Sequence, residues 1–163
     1  MSSLRTSIEI AAPPEQVRLK FLDFATLSSY HSSCFQSLSA SKPGAELKKG
    51  DTVRVVMANG TAFAGVVEEN TPQKFSWTGT IPFLFTGTHS FHFAPSSASA
   101  QHAPSTTFTQ EETFSGALGW LLMGDGLLGK GVGVKLKTRR AWERFDRDLK
   151  SVCESEVGGG VGK

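Results

Sequence analysis

The sequence predicts an α+β domain in which a curved antiparallel β-sheet wraps around a long C-terminal helix. Three observations lead to this expectation. A strand and a helix come first, at 7–12 and 13–24, strand-like runs fill most of 51–116, and one amphipathic helix ends the chain at 134–155. Because a single amphipathic helix has to bury its apolar side, the sheet is expected to curve around it.

The first strand and the short helices after it are indicated by periodicity and by helix-start signals. Residues 7–12 alternate apolar and polar side chains, as a half-buried strand does. Pro14 suits the first position of a helix, and Val17 and Phe21 then fall on one side of that helix. A second short helix is expected over 26–33.

The run of strands begins with a hairpin. Residues 51–69 form two β-rich stretches around Asn59-Gly60, the dipeptide favoured in a two-residue type I′ turn. Three further strands are expected at 74–81, 85–93 and 107–116. In the strand over 85–93, alternation places His89 on the same face as several phenylalanines, which predicts an imidazole directed into the core.

The last helix carries an inward stripe at helical spacing, formed by Trp142, Phe145, Leu149 and Val152. On its outer side, Asp146 and Lys150 are spaced as a favourable exposed ion pair.

Composition limits the classes of function. The chain of 163 residues is the size of one domain, expected over 1–155 and followed by a disordered glycine-rich tail over 156–163. A net charge of +2, from 17 basic and 15 acidic residues, is too small to indicate a nucleic-acid partner. No apolar run is long enough to span a membrane and no signal peptide is recognisable, so a cytoplasmic protein is expected. Both a monomer and a homodimer remain open.

Three stretches carry a resemblance to a known family. They are "FSWTGTIP", "FTGTHSFHFAP" and "TTFTQEETFSG", and they are similar to a W-x-G, G-x-H-x-F, T-x-x-x-x-E-x-F-x-G progression. With the order of elements, they resemble the START-like (Bet v 1-like, SRPBCC) superfamily, in its polyketide cyclase/dehydrase-like branch. The resemblance covers about 4–155 and implies the helix-grip fold with a ligand cavity between sheet and helix.

The resemblance places His89 and Glu112 on adjacent strands of the concave face. As a catalytic pair they would act as a general base and its orienting partner. The structural alternative is that His89 bonds a backbone carbonyl and Glu112 fills a polar gap in the core. Tyr30 and His31 fall in the short second helix, which in this fold often covers one end of the cavity. Tyr30 is the third catalytic candidate and His31 a ligand-binding one, and either could instead face solvent.

Gln110 shares the strand face of Glu112, and its amide is expected either to orient a ligand carbonyl or to be a satisfied core amide. The apolar side chains expected to line the cavity are Met57, Trp77, Phe85, Phe91, Phe108, Phe114 and Trp120.

A glycine-rich stretch precedes the last helix. "GDGLLG" over 124–129 matches G-x-G-x-x-G, but no βαβ unit follows it, which argues against a dinucleotide site. We interpret the glycine-rich stretch, expected to be mobile over 124–133, as a flexible hinge. With the apolar residues before it, including Trp120, 117–133 is a candidate lid, and whether it closes over the cavity stays open. No metal-ligand spacing and no serine nucleophile motif occurs, so neither a metal nor a cofactor is expected.

These features favour a cofactor-independent enzyme acting on a hydrophobic, oxygenated small molecule, such as a polyketide-like or aromatic metabolite. Proton transfer would assist cyclisation, dehydration or isomerisation in an apolar cavity. The alternative is a carrier that binds a lipid or aromatic metabolite unchanged, and a third hypothesis is an interaction module that uses the surface of the sheet.

Overall fold

The computed structural model describes residues 2–81, 85–97, 104–115 and 133–159. The strands in this part of the chain are β1 (Ser2–Ile10), β2 (Phe35–Ala40), β3 (Thr52–Met57), β4 (Ala62–Asn70), β5 (Lys74–Ile81), β6 (Phe85–Pro95) and β7 (Thr106–Ser115). The helices are α1 (Pro14–Leu22), α2 (Leu27–Tyr30) and α3 (Val134–Gly159), and single 3-10 turns lie at Phe24–Thr26 and Gly44–Glu46.

All seven strands pair antiparallel in one sheet of order β1-β7-β6-β5-β4-β3-β2. The sheet curls, and α3 and α1 both pack against it, which is the predicted helix-grip architecture. The connection between β1 and β2 contains the short helices, as expected. The last strand, β7, pairs with β1.

Phenylalanine rings from the sheet and from α1 form the core. Phe21 of α1 lies at its centre, with its ring centroid 4.3 Å from that of Phe91 and 6.1 Å from that of Phe145. Phe75 and Phe108 complete the ring cluster at 5.9 and 6.4 Å from Phe21. The abundance of phenylalanine is thus explained mainly by a dense core.

The predicted stripe of α3 is buried at Trp142, Phe145 and Leu149, whereas Val152 is half-buried and Cys153 takes the next inward position. The helix also continues to Gly159, into the segment expected to be a tail. Two contacts hold this end: the backbone N–H of Ala11 donates to Glu154, and Lys20 donates to Glu156 at 2.7 Å.

Strand β2 has no counterpart among the predicted strands. Its register shifts between Phe35 and Ser37, where a β-bulge inserts an extra residue. Because of the bulge the buried residues are Phe35 and Leu38, three apart, and the sequence lacks a period-two pattern.

The predicted two-residue turn of the hairpin is wrong in detail. The N–H of Gly60 donates to the carbonyl of Met57, and the N–H of Met57 donates to Thr61. This pattern is that of a three-residue loop in which Gly60, at φ +84°, takes the left-handed position. The carboxamide oxygen of Asn59 accepts from the N–H of Thr61 and stabilises the loop.

We expect Phe21→Ala to lower the free energy of unfolding by about 3–5 kcal/mol, because it leaves a cavity at the centre of the ring cluster. Leu19→Ala on the same helix is the matched control: Leu19 is 46% exposed, and its replacement should change stability by no more than about 0.5 kcal/mol. Urea unfolding followed by tryptophan fluorescence measures both. Equal effects of the two substitutions would contradict the assigned core.

Candidate functional site

Strand register brings the two predicted ionisable residues together. Trp77 of β5 lies directly opposite His89 of β6, and His89 lies directly opposite Glu112 of β7. Directly opposite residues direct their side chains to the same face of a sheet. His89 and Glu112 therefore meet on the concave face, on the side that α3 covers.

A cavity of about 330 Å³ lies between this face and the first turns of α3. Most of its lining is apolar or aromatic, with polar groups at a few points. The described residues that line it are Phe35, Met57, Asn59, Thr61, Phe63, Trp77, Gly79, Gly87, His89, Glu112, Phe114, Val134, Thr138 and Trp142.

Three glycines in cross-strand register, Gly65, Gly79 and Gly87, make room for the side chains around the cavity. A Cβ atom on Gly79 would lie 2.6 Å from the ring of Phe63. One on Gly87 would lie 2.6 Å from Oε1 of Glu112. The position of the Glu112 carboxyl group therefore depends on the missing side chain of Gly87.

The imidazole of His89 is sandwiched between two aromatic rings. Its centroid is 4.2 Å from that of Phe91 and 4.5 Å from that of Trp142, with both rings stacked nearly parallel to it. Only 4% of the residue is exposed. Burial lowers the pKa of His89 to about 3, so the imidazole is neutral near neutral pH.

A chain of hydrogen bonds runs from His89 to α3. Nε2 of His89 is 3.1 Å from Oε1 of Gln110, and Nε2 of Gln110 donates to Oδ1 of Asp146 at 2.5 Å. Because the amide oxygen of Gln110 can only accept, Nε2 of His89 carries the proton. The lone pair of the other ring nitrogen, Nδ1, is left available.

That nitrogen faces Glu112. Nδ1 of His89 lies 3.9 Å from Oε2 of Glu112, too far for a direct hydrogen bond. Burial raises the pKa of the Glu112 carboxyl group to about 8. Near neutral pH the site therefore offers one proton donor, the carboxyl group, and one proton acceptor, Nδ1.

Asp146 is a site residue that the sequence analysis missed. It was expected in an exposed pair with Lys150, but Lys150 donates to Glu154 at 2.6 Å and to the carbonyl of Glu9 at 2.8 Å. Asp146 is only 2% exposed, and burial raises its pKa to about 6. Asp146 directly follows Phe145 of the predicted inward stripe, and this adjacency was the indication in the sequence that Asp146 is buried.

Of the predicted site residues, the structure brings five together around the cavity: Met57, Trp77, His89, Glu112 and Phe114. Three others lie behind this lining. Gln110 is fully buried under His89, Phe91 stacks on the far side of the imidazole, and Phe108 packs among the core rings. The side chain of Phe85, the whole of Trp120 and the predicted lid up to residue 132 lie outside the described residues.

His31 and Tyr30 do not border the cavity. Nδ1 of His31 donates to Asp148 at 2.8 Å, and its Nε2 accepts the backbone N–H of Cys34 at 2.8 Å. Both nitrogens are thus used to fix the start of β2 against α3. The hydroxyl of Tyr30 is buried without a hydrogen-bond partner in the described part of the chain, and burial raises its pKa.

The lining also contains residues that were not predicted, chiefly Phe35, Phe63 and Trp142. Trp142 belongs to the predicted inward stripe of the last helix, so its position at the cavity could have been predicted. Phe35 was hidden because the bulge in β2 removes the strand pattern.

No helix within the described ranges is long and apolar enough to cross a membrane. Among the same residues, no three His, Cys, Asp or Glu side chains are grouped so that they could hold a metal ion.

Comparison with known proteins places the chain in a family. The model of a family described as polyketide cyclase / dehydrase and lipid transport matches residues 1–152. No curated protein matches the chain significantly.

Solved structures share the fold at low sequence identity. A START superfamily protein from Mycobacterium smegmatis has a TM-score of 0.68 and 14% identity, over 95% of this chain and 99% of that one. The Zhui aromatase/cyclase of Streptomyces sp. R1128 has a TM-score of 0.67 and 12% identity, over 95% and 94%. With the family match over nearly the whole chain, the conclusion is that this protein belongs to the polyketide cyclase/dehydrase and lipid transport family.

Proposed function

We propose that the protein is a cofactor-independent enzyme that moves protons on a neutral, hydrophobic, oxygenated small molecule. Glu112 is the general acid and Nδ1 of His89 the general base. The observation that carries the proposal is their placement: two groups of complementary protonation state, 3.9 Å apart, face one apolar cavity. One ligand oxygen can lie within hydrogen-bond distance of both.

Loss of water from a β-hydroxy carbonyl compound illustrates the chemistry. Nδ1 of His89 removes the proton next to the carbonyl group, the electron pair forms the C=C bond, and the C–O bond breaks. Glu112 supplies its proton to the departing hydroxyl, which leaves as water. The proton on His89 then returns to the Glu112 carboxylate, so the resting state is restored without any other reactant.

The cavity also constrains the ligand. Its described lining contains no lysine or arginine, so an anionic ligand would find no counter-ion there. Trp77, Phe114 and Trp142 offer flat apolar surfaces to a planar molecule. A volume of about 330 Å³ lies at the small end of the range typical of small-molecule sites. The family description and the aromatase/cyclase among the structural neighbours support cyclisation or dehydration as the reaction class.

A carrier function is the alternative. It is favoured by the low pKa of His89, which makes its imidazole a weak base, and by the lipid transport in the family description. A carrier needs the aromatic lining but not the ionisable pair. Incubation of the protein with an extract of its source, followed by mass spectrometry, separates the two functions: an enzyme releases an altered molecule, and a carrier retains it unchanged.

We expect the protein to accelerate dehydration of a neutral probe, the β-hydroxy ketone formed from benzaldehyde and acetone, which gives a conjugated enone that absorbs in the near ultraviolet. His89→Ala and Glu112→Gln should each lower the rate by about 10²–10⁴-fold while the protein stays folded. Both variants should still bind the enone, measured by quenching of tryptophan fluorescence.

Glu111→Gln is the matched control, because Glu111 is the neighbour of Glu112 on β7 but lies on the opposite, outer face. It should retain the rate of the unaltered protein. If the two site variants also retain that rate, the ionisable pair is not catalytic and the carrier function gains support.

The same assay has a predicted pH dependence. The general acid is present only while Glu112 holds its proton, so the rate should fall as the pH rises through about 8. Nδ1 of His89 is unprotonated above about pH 3 and therefore imposes no loss near neutral pH. A rate that instead rises through pH 8 would show that the Glu112 carboxylate is the base, and would reverse the assignment.

The buried carboxyl group of Glu112 should also make stability depend on pH. Its pKa is raised from 4.5 to about 8, so between these values the unfolded chain releases a proton that the folded protein keeps. The free energy of unfolding therefore falls with rising pH in this window, by at most about 1.4 kcal/mol per pH unit. Glu112→Gln stays neutral and should escape this loss.

Urea unfolding at about pH 5 and about pH 8 tests this expectation. The stability of Glu112→Gln relative to the unaltered protein should increase by on the order of 2–4 kcal/mol between the two pH values. The exposed control Glu111→Gln should show no such increase. Parallel pH profiles for Glu112→Gln and the unaltered protein would mean that Glu112 ionises normally.

A further inference from the structure

We propose that Asp146, acting through Gln110, is a positioning residue that fixes which nitrogen of His89 carries the proton. The proposal assigns a role to a helix residue that does not line the cavity. Its importance for catalysis rests on the proposed function, whereas its effect on His89 does not.

The orientation of the Gln110 amide depends on Asp146. A carboxylate oxygen only accepts hydrogen bonds, so the 2.5 Å contact with Oδ1 of Asp146 has to be made by the NH₂ group of Gln110. The amide oxygen is thereby turned towards Nε2 of His89, at 3.1 Å. Gln110 is fully buried and Asp146 nearly so, so water does not compete readily for these groups.

Without the carboxylate, the amide of Gln110 is free to turn over. Its NH₂ group would then face Nε2 of His89, which would have to accept, and the ring proton would move to Nδ1. The cavity would lose its proton acceptor and gain a second donor beside the Glu112 carboxyl group. Asp146 therefore decides whether the cavity holds an acid and a base or two donors.

The same chain of bonds has a second consequence. When Nδ1 of His89 takes a proton, an imidazolium forms between Phe91 and Trp142, where burial makes a charge costly. The Asp146 carboxylate lies one amide away and compensates that charge through Gln110. A histidine oriented by a buried carboxylate is the arrangement used in catalytic triads, here with an amide between the two groups.

The chain contains an internal reference for this inference. His31 contacts the carboxylate of Asp148, which lies on α3 like Asp146. The contact is direct, and it is made by Nδ1 of His31, whereas His89 uses its Nε2. Its Nε2 accepts the N–H of Cys34, so the proton of His31 is on Nδ1. The two histidines should therefore be opposite tautomers, with that of His31 held by the N–H of Cys34 as well as by Asp148.

Nitrogen NMR of the uniformly ¹⁵N-labelled protein at neutral pH tests this directly, because protonated and unprotonated ring nitrogens resonate far apart. We expect the proton of His89 on Nε2 and that of His31 on Nδ1. In Asp146→Leu, the ratio of the Nε2–H to the Nδ1–H form of His89 should fall at least about tenfold, while His31 is unchanged.

A second variant tests whether the change seen in Asp146→Leu comes from misfolding rather than from the lost hydrogen bond. In Gln110→Leu combined with Asp146→Leu, both partners become apolar, which avoids an unpaired buried group, and the Nε2–H preference should again be lost. Asp148→Asn is the matched control on the same helix and should leave the tautomer of His89 unchanged. A loss of packing by itself would broaden or shift many resonances without exchanging the tautomers of one ring.

The inference is overturned if His89 holds its proton on Nδ1 in the unaltered protein, or if its tautomer is the same in all variants. Failure of the proposed function gives a different result. In that case the tautomer of His89 responds to Asp146→Leu as expected, but the unaltered protein does not accelerate dehydration of the probe.

Discussion

Burial of the aromatic side chains on the concave face of the sheet is the interaction on which the rest of the structure depends. Rings from β2, β5, β6 and β7 and from α1 and α3 form one cluster around Phe21, in which neighbouring centroids lie within about 6.5 Å. Each buried ring contributes roughly 1.5–3 kcal/mol relative to exposure. Because α3 has to cover this face, the same helix that completes the core also supplies Trp142 to the cavity and Asp146 to its supporting hydrogen bonds.

The chemistry of the site follows from that burial. In water, the carboxyl group of Glu112 would be ionised near neutral pH, and the imidazole of His89 would be partly protonated. Between aromatic rings, the charged form of each group is disfavoured, so the pKa of His89 falls and that of Glu112 rises. The pair therefore rests as neutral acid and neutral base, and it can pass protons to and from a ligand without starting from a buried charge.

Periodicity predicted most of the fold, because β5, β6 and β7, which carry the site, pair in unbroken register. Alternation directed His89 into the core, the family resemblance placed Glu112 on the same face, and the helical stripe included Trp142. What could not be predicted were features that break local periodicity or depend on distant partners. The bulge in β2 concealed Phe35, and Asp146 has the same local spacing to Lys150 as an exposed ion pair. Only the packing of α3 on β7 decides that this carboxylate meets Gln110.

The row formed by Gly65, Gly79 and Gly87 affects how selective such a cavity can be. Where side chains form a binding surface, rotamer changes let it adapt to ligands of different shape. Along this row the glycines are buried, and the side chains of Trp77, Phe63 and Glu112 occupy the space that a Cβ atom on Gly65, Gly79 or Gly87 would fill. Changes in ligand preference at these positions would therefore come in steps of one methyl group, by addition of a Cβ atom, and each step would also displace a neighbour such as Phe63 or Glu112. Shape selection and acid–base geometry are thus coupled through three residues that have no side chain.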